Sequence, residues 1–138
     1  RRPQGPCLTA YENELGGRVV VLGYAPWMFI QSVAKREQLL NAADWVTRGT
    51  LPVRILEAVP VVPTVRLSPD RRRGAIVLLN AGLEPLPEVT VLVRAPRVPV
   101  VLSTDGGERP LPQRAEQDGW SVTLPRLEAW STVCLFVG

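Results

Sequence analysis

The sequence contains no histidine, and this absence excludes several kinds of catalytic chemistry. Ser-His-Asp and Cys-His constellations need an imidazole to move the proton, and most zinc sites use one as a ligand. The two cysteines, Cys7 and Cys134, lie far apart and form no Cys-x-x-Cys pair, so a disulfide between them is not implied. Cys134 lies in an apolar run and is predicted to be a small core residue. We expect no catalytic residues, no metal ligands and no cofactor.

Long apolar runs and targeting signals are also lacking. No run approaches the ~20 apolar residues that span a bilayer, so we expect a soluble chain with no membrane partner. The chain opens on Arg1-Arg2-Pro3 without a hydrophobic signal segment behind it, and its single methionine is Met28. We therefore interpret the sequence as an excised or processed piece of a longer protein.

Basic residues exceed acidic ones by only three, and they are scattered along the chain. The one tight cluster, Arg71-Arg72-Arg73, lies in the turn-like stretch SPDRRRG between two strand-like runs. This pattern favours a solvated hairpin tip over a phosphate contact. Aromatic residues make up 6% of the chain, too few to interleave with the arginines as a single-strand binder requires. We expect no nucleic-acid partner.

The stretch GGRVVVLGYAPW, residues 16–27, predicts a strand over 18–23. A continuous apolar run between glycines is typical of a strand buried on both faces, as in a parallel sheet. The glycines flank this strand instead of following it, and no GK[ST] is present, so the stretch does not indicate a phosphate-binding turn. Residues 1–15 show no clear period and are predicted to form a loop.

An amphipathic helix is predicted over residues 32–48, with Ser32 as its N-cap and Gly49 just beyond its end. Its apolar face would carry Leu39 and Val46, which we expect to pack on the preceding strand. Together with strand 18–23, this helix forms a small α/β segment, residues 1–56, interpreted as the remnant of a larger domain.

From residue 57 to residue 138 the sequence consists of short β-rich runs separated by turn signals. These include Asn80-Ala81-Gly82 and Asp118-Gly119. Repeated short strands at this spacing predict an antiparallel β-sandwich domain. Pro60, Pro63 and Pro99 lie in strand-like runs and indicate edge strands or bulges. The predicted fold is therefore mainly β, an antiparallel β-sandwich preceded by the α/β segment.

Four tryptophans are the largest side chains to place. Trp45, on the predicted helix, and Trp130, at the start of the last strand, are expected to pack in the core. Trp27 follows a proline in a loop, where an exposed ring could stack on a sugar, although packing or an interface is the default. We take Trp27, Tyr24 and Trp120 as the candidate ligand or interface contacts.

Three stretches resemble the C-terminal part of large bacterial glycoside hydrolases: GGRVVVLGYAPW, AKREQLLNAADWVTRGTLP and the closing LPRLEAWSTVCLFVG. The resemblance is to β-galactosidase-like enzymes, in which an amidotransferase-like α/β domain is followed by a small β-sandwich. It implies that residues 15–138 close such an enzyme. The catalytic acid pair of those enzymes lies in an upstream barrel, which this sequence does not contain.

Two functions from different classes remain open. The first is a non-catalytic accessory region of a carbohydrate-active hydrolase, serving packing, oligomerisation or weak glycan contact. Its expected partners are an upstream catalytic domain of the same polypeptide or another subunit, a carbohydrate, and a second copy of the chain. The second is a free-standing β-sandwich that binds a protein partner. A third option, an arginine-driven binder of anionic polymers, predicts affinity that falls steeply with salt.

Overall fold

The computed structural model describes residues 7–25, 32–70, 72–94, 100–102 and 108–137. The chain divides into two compact units, Arg1–Leu51 and Pro52–Gly138. Across the described segments, no helix is long and apolar enough to cross a membrane.

The first unit consists of a β-hairpin and one helix. Strand β1 (Leu8–Glu12) pairs antiparallel with β2 (Arg18–Leu22). The turn between them is built on Asn13, whose Oδ1 accepts the Gly17 N–H at 2.6 Å and whose carbonyl accepts the Gly16 N–H at 2.9 Å. Gly16 has φ +80°, a left-handed conformation that glycine adopts without steric cost.

Two expectations for the hairpin are wrong. Leu8–Glu12 forms a strand where the sequence predicts a loop, because β2 supplies its hydrogen-bonding partner. β2 is not buried on both faces: Val19 and Val21 expose 54% and 60% of their surface. The apolar run RVVVLG looks like a central strand, but in the described part of the chain it pairs with β1 alone, in a two-stranded sheet.

Helix α1 spans Val33–Val46, slightly shorter than the predicted 32–48. Ser32 occupies the N-cap position but makes no side-chain capping bond, and Gly49, with φ +73°, donates its N–H to the Asp44 carbonyl at 2.8 Å. The helix has no buried residue, and Leu39 and Val46, expected on its packed face, are 40% and 39% exposed. No described residue of the first unit is buried.

The second unit is an antiparallel β-sandwich, which confirms the predicted mainly β fold. One sheet has the strand order β3-β6-β10-β9 and the other β4-β5-β11-β7-β8. The strands are β3 (Val53–Ile55), β4 (Val61–Leu67), β5 (Gly74–Asn80), β6 (Val89–Val93), β7 (Val100–Leu102), β8 (Glu108–Arg109), β9 (Gln113–Glu116), β10 (Gly119–Leu124) and β11 (Thr132–Val137).

The core lies between the two sheets and follows the period of two that strands impose. In β6, Val89, Val91 and Val93 are buried and alternate with half-buried residues, as the sequence EVTVLV predicts. The opposite sheet contributes Leu78 and Leu135, both fully buried, to the same cluster. Cys134, beside Leu135 on β11, is a half-buried free thiol whose pKa is raised by burial.

Several turns and edges also match the sequence pattern. Strands β4 and β5 form a hairpin, as the stretch SPDRRRG predicts, and in the described part of their connection the Ser68 hydroxyl donates to the Asp70 carboxylate. Pro63 lies on β4, an edge strand of its sheet, where a missing N–H breaks no ladder. β3 pairs with β6. Residues 53–55 therefore lie with the second unit, whereas the sequence analysis groups them with the α/β segment 1–56.

Candidate functional site

The connection from β10 to β11, residues 125–131, crosses from one sheet of the sandwich to the other and presents Trp130. Trp130 is 64% exposed, so the expectation that it packs in the core is wrong. Its backbone has φ +54°, in the left-handed region. A bulky residue rarely adopts this conformation, which costs about 1–2 kcal/mol. Such strain persists only where the surrounding structure enforces it.

Asn80, the buried residue at the end of β5, holds the Trp130 backbone in this conformation through hydrogen bonds to residues 127–131. Its Nδ2 donates to the carbonyl oxygens of Leu127 (3.2 Å) and Glu128 (3.1 Å). Its backbone N–H donates to the Ser131 carbonyl and its own carbonyl accepts the Trp130 N–H, both at 3.0 Å. The fully buried Asn80 side chain and its backbone thus bind four of the five residues from 127 to 131, all except Ala129.

A second anchor fixes the start of the same connection. Leu127 and Leu86 exchange two backbone hydrogen bonds of 2.9 Å in an isolated antiparallel bridge. The Leu127 side chain is 5% exposed and belongs to the core cluster. The exposed indole of Trp130 therefore stands on a rigid support.

Trp130 borders a groove of about 510 Å³. Leu124 and Leu127 give the groove an apolar floor, and hydroxyls and charged groups stand along its walls. The lining residues are Arg109, Leu111, Leu124, Pro125, Arg126, Leu127, Glu128, Trp130, Ser131, Thr132 and Val133. An apolar base with a few polar groups around it is the usual composition of a small-molecule site.

The charged residues of the groove differ in whether they form an ion pair. Arg126 Nε donates to Glu128 Oε1, and this ion pair raises the pKa of Arg126. The Ser131 hydroxyl donates to the Glu128 backbone carbonyl at 2.7 Å. Arg109 is exposed and makes no ion pair with an acidic residue in the described segments.

Among the described residues, Glu128 is the one acidic residue that lines the groove. Glycoside hydrolysis generally uses two carboxyl groups that flank the scissile bond. Elsewhere in the described segments, no group of three or more His, Cys, Asp or Glu side chains is placed to hold a metal ion.

The two described residues among the predicted contacts, Tyr24 and Trp120, do not line this groove. Tyr24, in the first unit, donates its hydroxyl to Gln38 Oε1 at 2.8 Å, and Lys35 Nζ lies 4.4 Å from the centre of its ring. Trp120, on β10, is half-buried and packs against the core cluster. Trp27 lies outside the described residues. The structure therefore does not bring Tyr24 or Trp120 into the Trp130 groove.

The first unit has a groove of its own, of about 480 Å³, between the hairpin and α1. Trp45 lines it, but the Arg18 guanidinium lies 4.8 Å from the centre of the Trp45 ring and donates to the Trp45 carbonyl at 2.8 Å. Because the indole already carries a cation on one face, this groove offers a less open aromatic surface than Trp130 does.

Comparisons with known proteins support the fold. No protein-family model and no curated protein matches the sequence. Among solved structures, α-L-fucosidase isoenzyme 2 from Paenibacillus thiaminolyticus matches with a TM-score of 0.60 and 19% identity. The match covers 96% of this chain and 22% of that chain. At this identity the likeness shows a shared fold.

The matched protein is a glycoside hydrolase, the class that the sequence resembles, and for this chain the match shows the fold alone. The finer β-galactosidase-like layout, with the end of an amidotransferase-like domain, stays a prediction. The chain corresponds to a small part of the fucosidase.

Proposed function

We propose that this chain is a non-catalytic accessory region of a carbohydrate-active hydrolase, and that its β-sandwich contacts glycan through Trp130. One observation carries the proposal: Trp130 is 64% exposed beside an apolar-floored groove, and its backbone is held at φ +54°. The C–H groups on a sugar face carry partial positive charge, and the face of an indole is negative, so the two stack. Because hydrogen bonds already hold the backbone that carries the indole, stacking of a sugar costs less conformational entropy than it would on an unsupported loop.

The first unit has a different role in this proposal. None of its described residues is buried, and its hairpin exposes Tyr11, Val19 and Val21 on one face. Apolar surface of this kind gains stability when another polypeptide covers it. We assign the cover to a catalytic domain of the same polypeptide or of another subunit, as the fold shared with part of a fucosidase suggests.

The glycan contact is tested by affinity electrophoresis of the purified chain through gels that contain soluble plant and microbial polysaccharides. We expect at least one polysaccharide to retard the wild-type chain. Trp130→Ala should weaken that binding at least about 10-fold, which corresponds to about 1.4 kcal/mol. Tyr11→Ala removes another exposed aromatic ring, 63% exposed on the hairpin, and should leave retardation unchanged.

Retardation that survives Trp130→Ala would contradict the proposal, as would retardation that Tyr11→Ala abolishes instead. Circular dichroism of each variant confirms that its fold is intact. A chain that no polysaccharide retards would favour the alternative function, binding of a protein partner.

A further inference from the structure

The groove beside Trp130 carries more positive than negative charge. Among the described lining residues, the charged ones are Arg109, Arg126 and Glu128, and their formal charges sum to +1. Glu128 is engaged by Arg126 Nε, and Arg109 faces no acidic partner in the described segments. Among the side chains that the structure describes, the excess charge is therefore that of Arg109, at the end of β8.

We propose that this groove binds acidic saccharides, whose sugars carry a carboxylate or a sulfate, in preference to neutral ones. This inference rests on the glycan contact proposed above and names the class of its ligand. Stacking on Trp130 would hold the sugar ring, and Arg109 would bind the anionic group of that sugar or its neighbour.

The chemistry of arginine favours this ligand. A guanidinium presents five N–H donors in a planar fork that matches the two oxygens of a carboxylate or sulfate. Such charge-assisted bonds are about twice as strong as the neutral bonds a sugar hydroxyl could make. A neutral saccharide would stack on the same indole but would leave the fork of Arg109 hydrated.

The exposed arginines outside the Trp130 groove lack this setting, and Arg126, which also lines the groove, is paired with Glu128. Arg72 and Arg73 lie in the turn between β4 and β5, and the lining of the Trp130 groove does not include them. Arg114 lies on the wholly exposed strand β9, 4.0 Å from Glu116, and is also absent from the groove. Arg109 combines an exposed guanidinium with an exposed aromatic ring on the same groove.

Matched saccharides that differ only at C6 provide the test. Titration calorimetry would compare β-1,4-linked tetramannuronate with β-1,4-mannotetraose, and C6-oxidised cellotetraose with cellotetraose. In at least one pair we expect the acid to bind at least about 5-fold more tightly at 50 mM NaCl. The preference should shrink at 500 mM NaCl, because salt screens an exposed charge contact. A sulfated mannotetraose distinguishes sulfate from carboxylate as the anion.

Arg109→Gln should bring the affinity for the acid down to that of the neutral partner and leave the neutral affinity unchanged. Arg114→Gln is the matched control, since it removes the same charge outside the groove. Equal affinity within both pairs, or an equal loss of preference in Arg114→Gln, would overturn the inference.

The two proposals fail in different ways. If the acidic and the neutral saccharide bind with equal affinity and both lose that affinity in Trp130→Ala, the acidic preference is overturned and the proposed glycan contact is supported. If the acidic saccharide still binds the Trp130→Ala variant but no longer binds the Arg109→Gln variant, the stacking contact is contradicted. Absence of binding by any acid in the panel overturns the acidic preference directly.

Discussion

At the scale of single residues, Asn80 and Trp130 show which features a local sequence pattern predicts and which it does not. Asn80-Ala81-Gly82 is a turn signal, and the structure confirms it: Asn80 Oδ1 accepts the Gly82 N–H at 2.9 Å. The bonds from Asn80 to Leu127 and Glu128 span 47 and 48 residues, and no local pattern predicts them. The exposure of Trp130 depends on those same bonds, so sequence reasoning missed it.

Replacing Asn80 by alanine should destabilise the sandwich by about 2–4 kcal/mol. The change removes the donor to two carbonyls of the Trp130 connection and the acceptor of the Gly82 N–H, leaving polar groups without partners in a buried position. Urea denaturation of wild type and variant measures the difference.

Asn41→Ala is the control, because Asn41 is exposed on α1 and the same substitution there should change stability by less than about 0.5 kcal/mol. If Asn80→Ala matched the control, the anchoring role of Asn80 would be refuted.

At the scale of elements, the hairpin of the first unit is tied to the residues that follow α1 through Glu12. Glu12 accepts a 3.0 Å bond from Arg18 and a 2.9 Å bond from Arg48. The bond from Arg18, with the charges of Arg18 and Arg48, lowers the pKa of Glu12 below its ordinary 4.5. Residues 1–15 are predicted from the sequence to form a loop, so the sequence does not reveal the strand β1 that positions Glu12.

The stabilisation from Glu12 should depend on pH in one direction. Because the folded-state pKa is lowered, the contribution is complete above about pH 4.5 and disappears as the pH falls through the lower folded value. Glu12→Gln should therefore speed amide hydrogen exchange in β1 and β2 near pH 6, after correction for intrinsic rates, and match wild type near pH 2.

Glu14→Gln, in the exposed turn between the two strands, is the control and should leave exchange unchanged at both pH values. A Glu12→Gln effect of equal size at pH 2 and pH 6 would show that the carboxylate charge is not its cause.

At the scale of the whole chain, composition and strand spacing predict the β-sandwich correctly, since alternation in runs such as EVTVLV directly reports one buried face. Composition and strand spacing do not predict two other features of the structure. Periodicity does not tell a central strand from a hairpin strand with one exposed face, which is why β2 was misassigned. The groove beside Trp130 joins residues from β8, β10, β11 and their connections, and such a set is defined only by the tertiary fold.

The central claim is that Trp130 is the glycan-contacting ring, and the indole N–H signals of the four tryptophans test it most directly. In a ¹H–¹⁵N NMR titration with a retarding oligosaccharide, assigned by single Trp→Phe variants, the Trp130 signal should shift and saturate. The signals of Trp45 and Trp120, whose rings are engaged by Arg18 and by the core, should stay in place. Saturable binding that leaves the Trp130 signal unmoved would contradict the account.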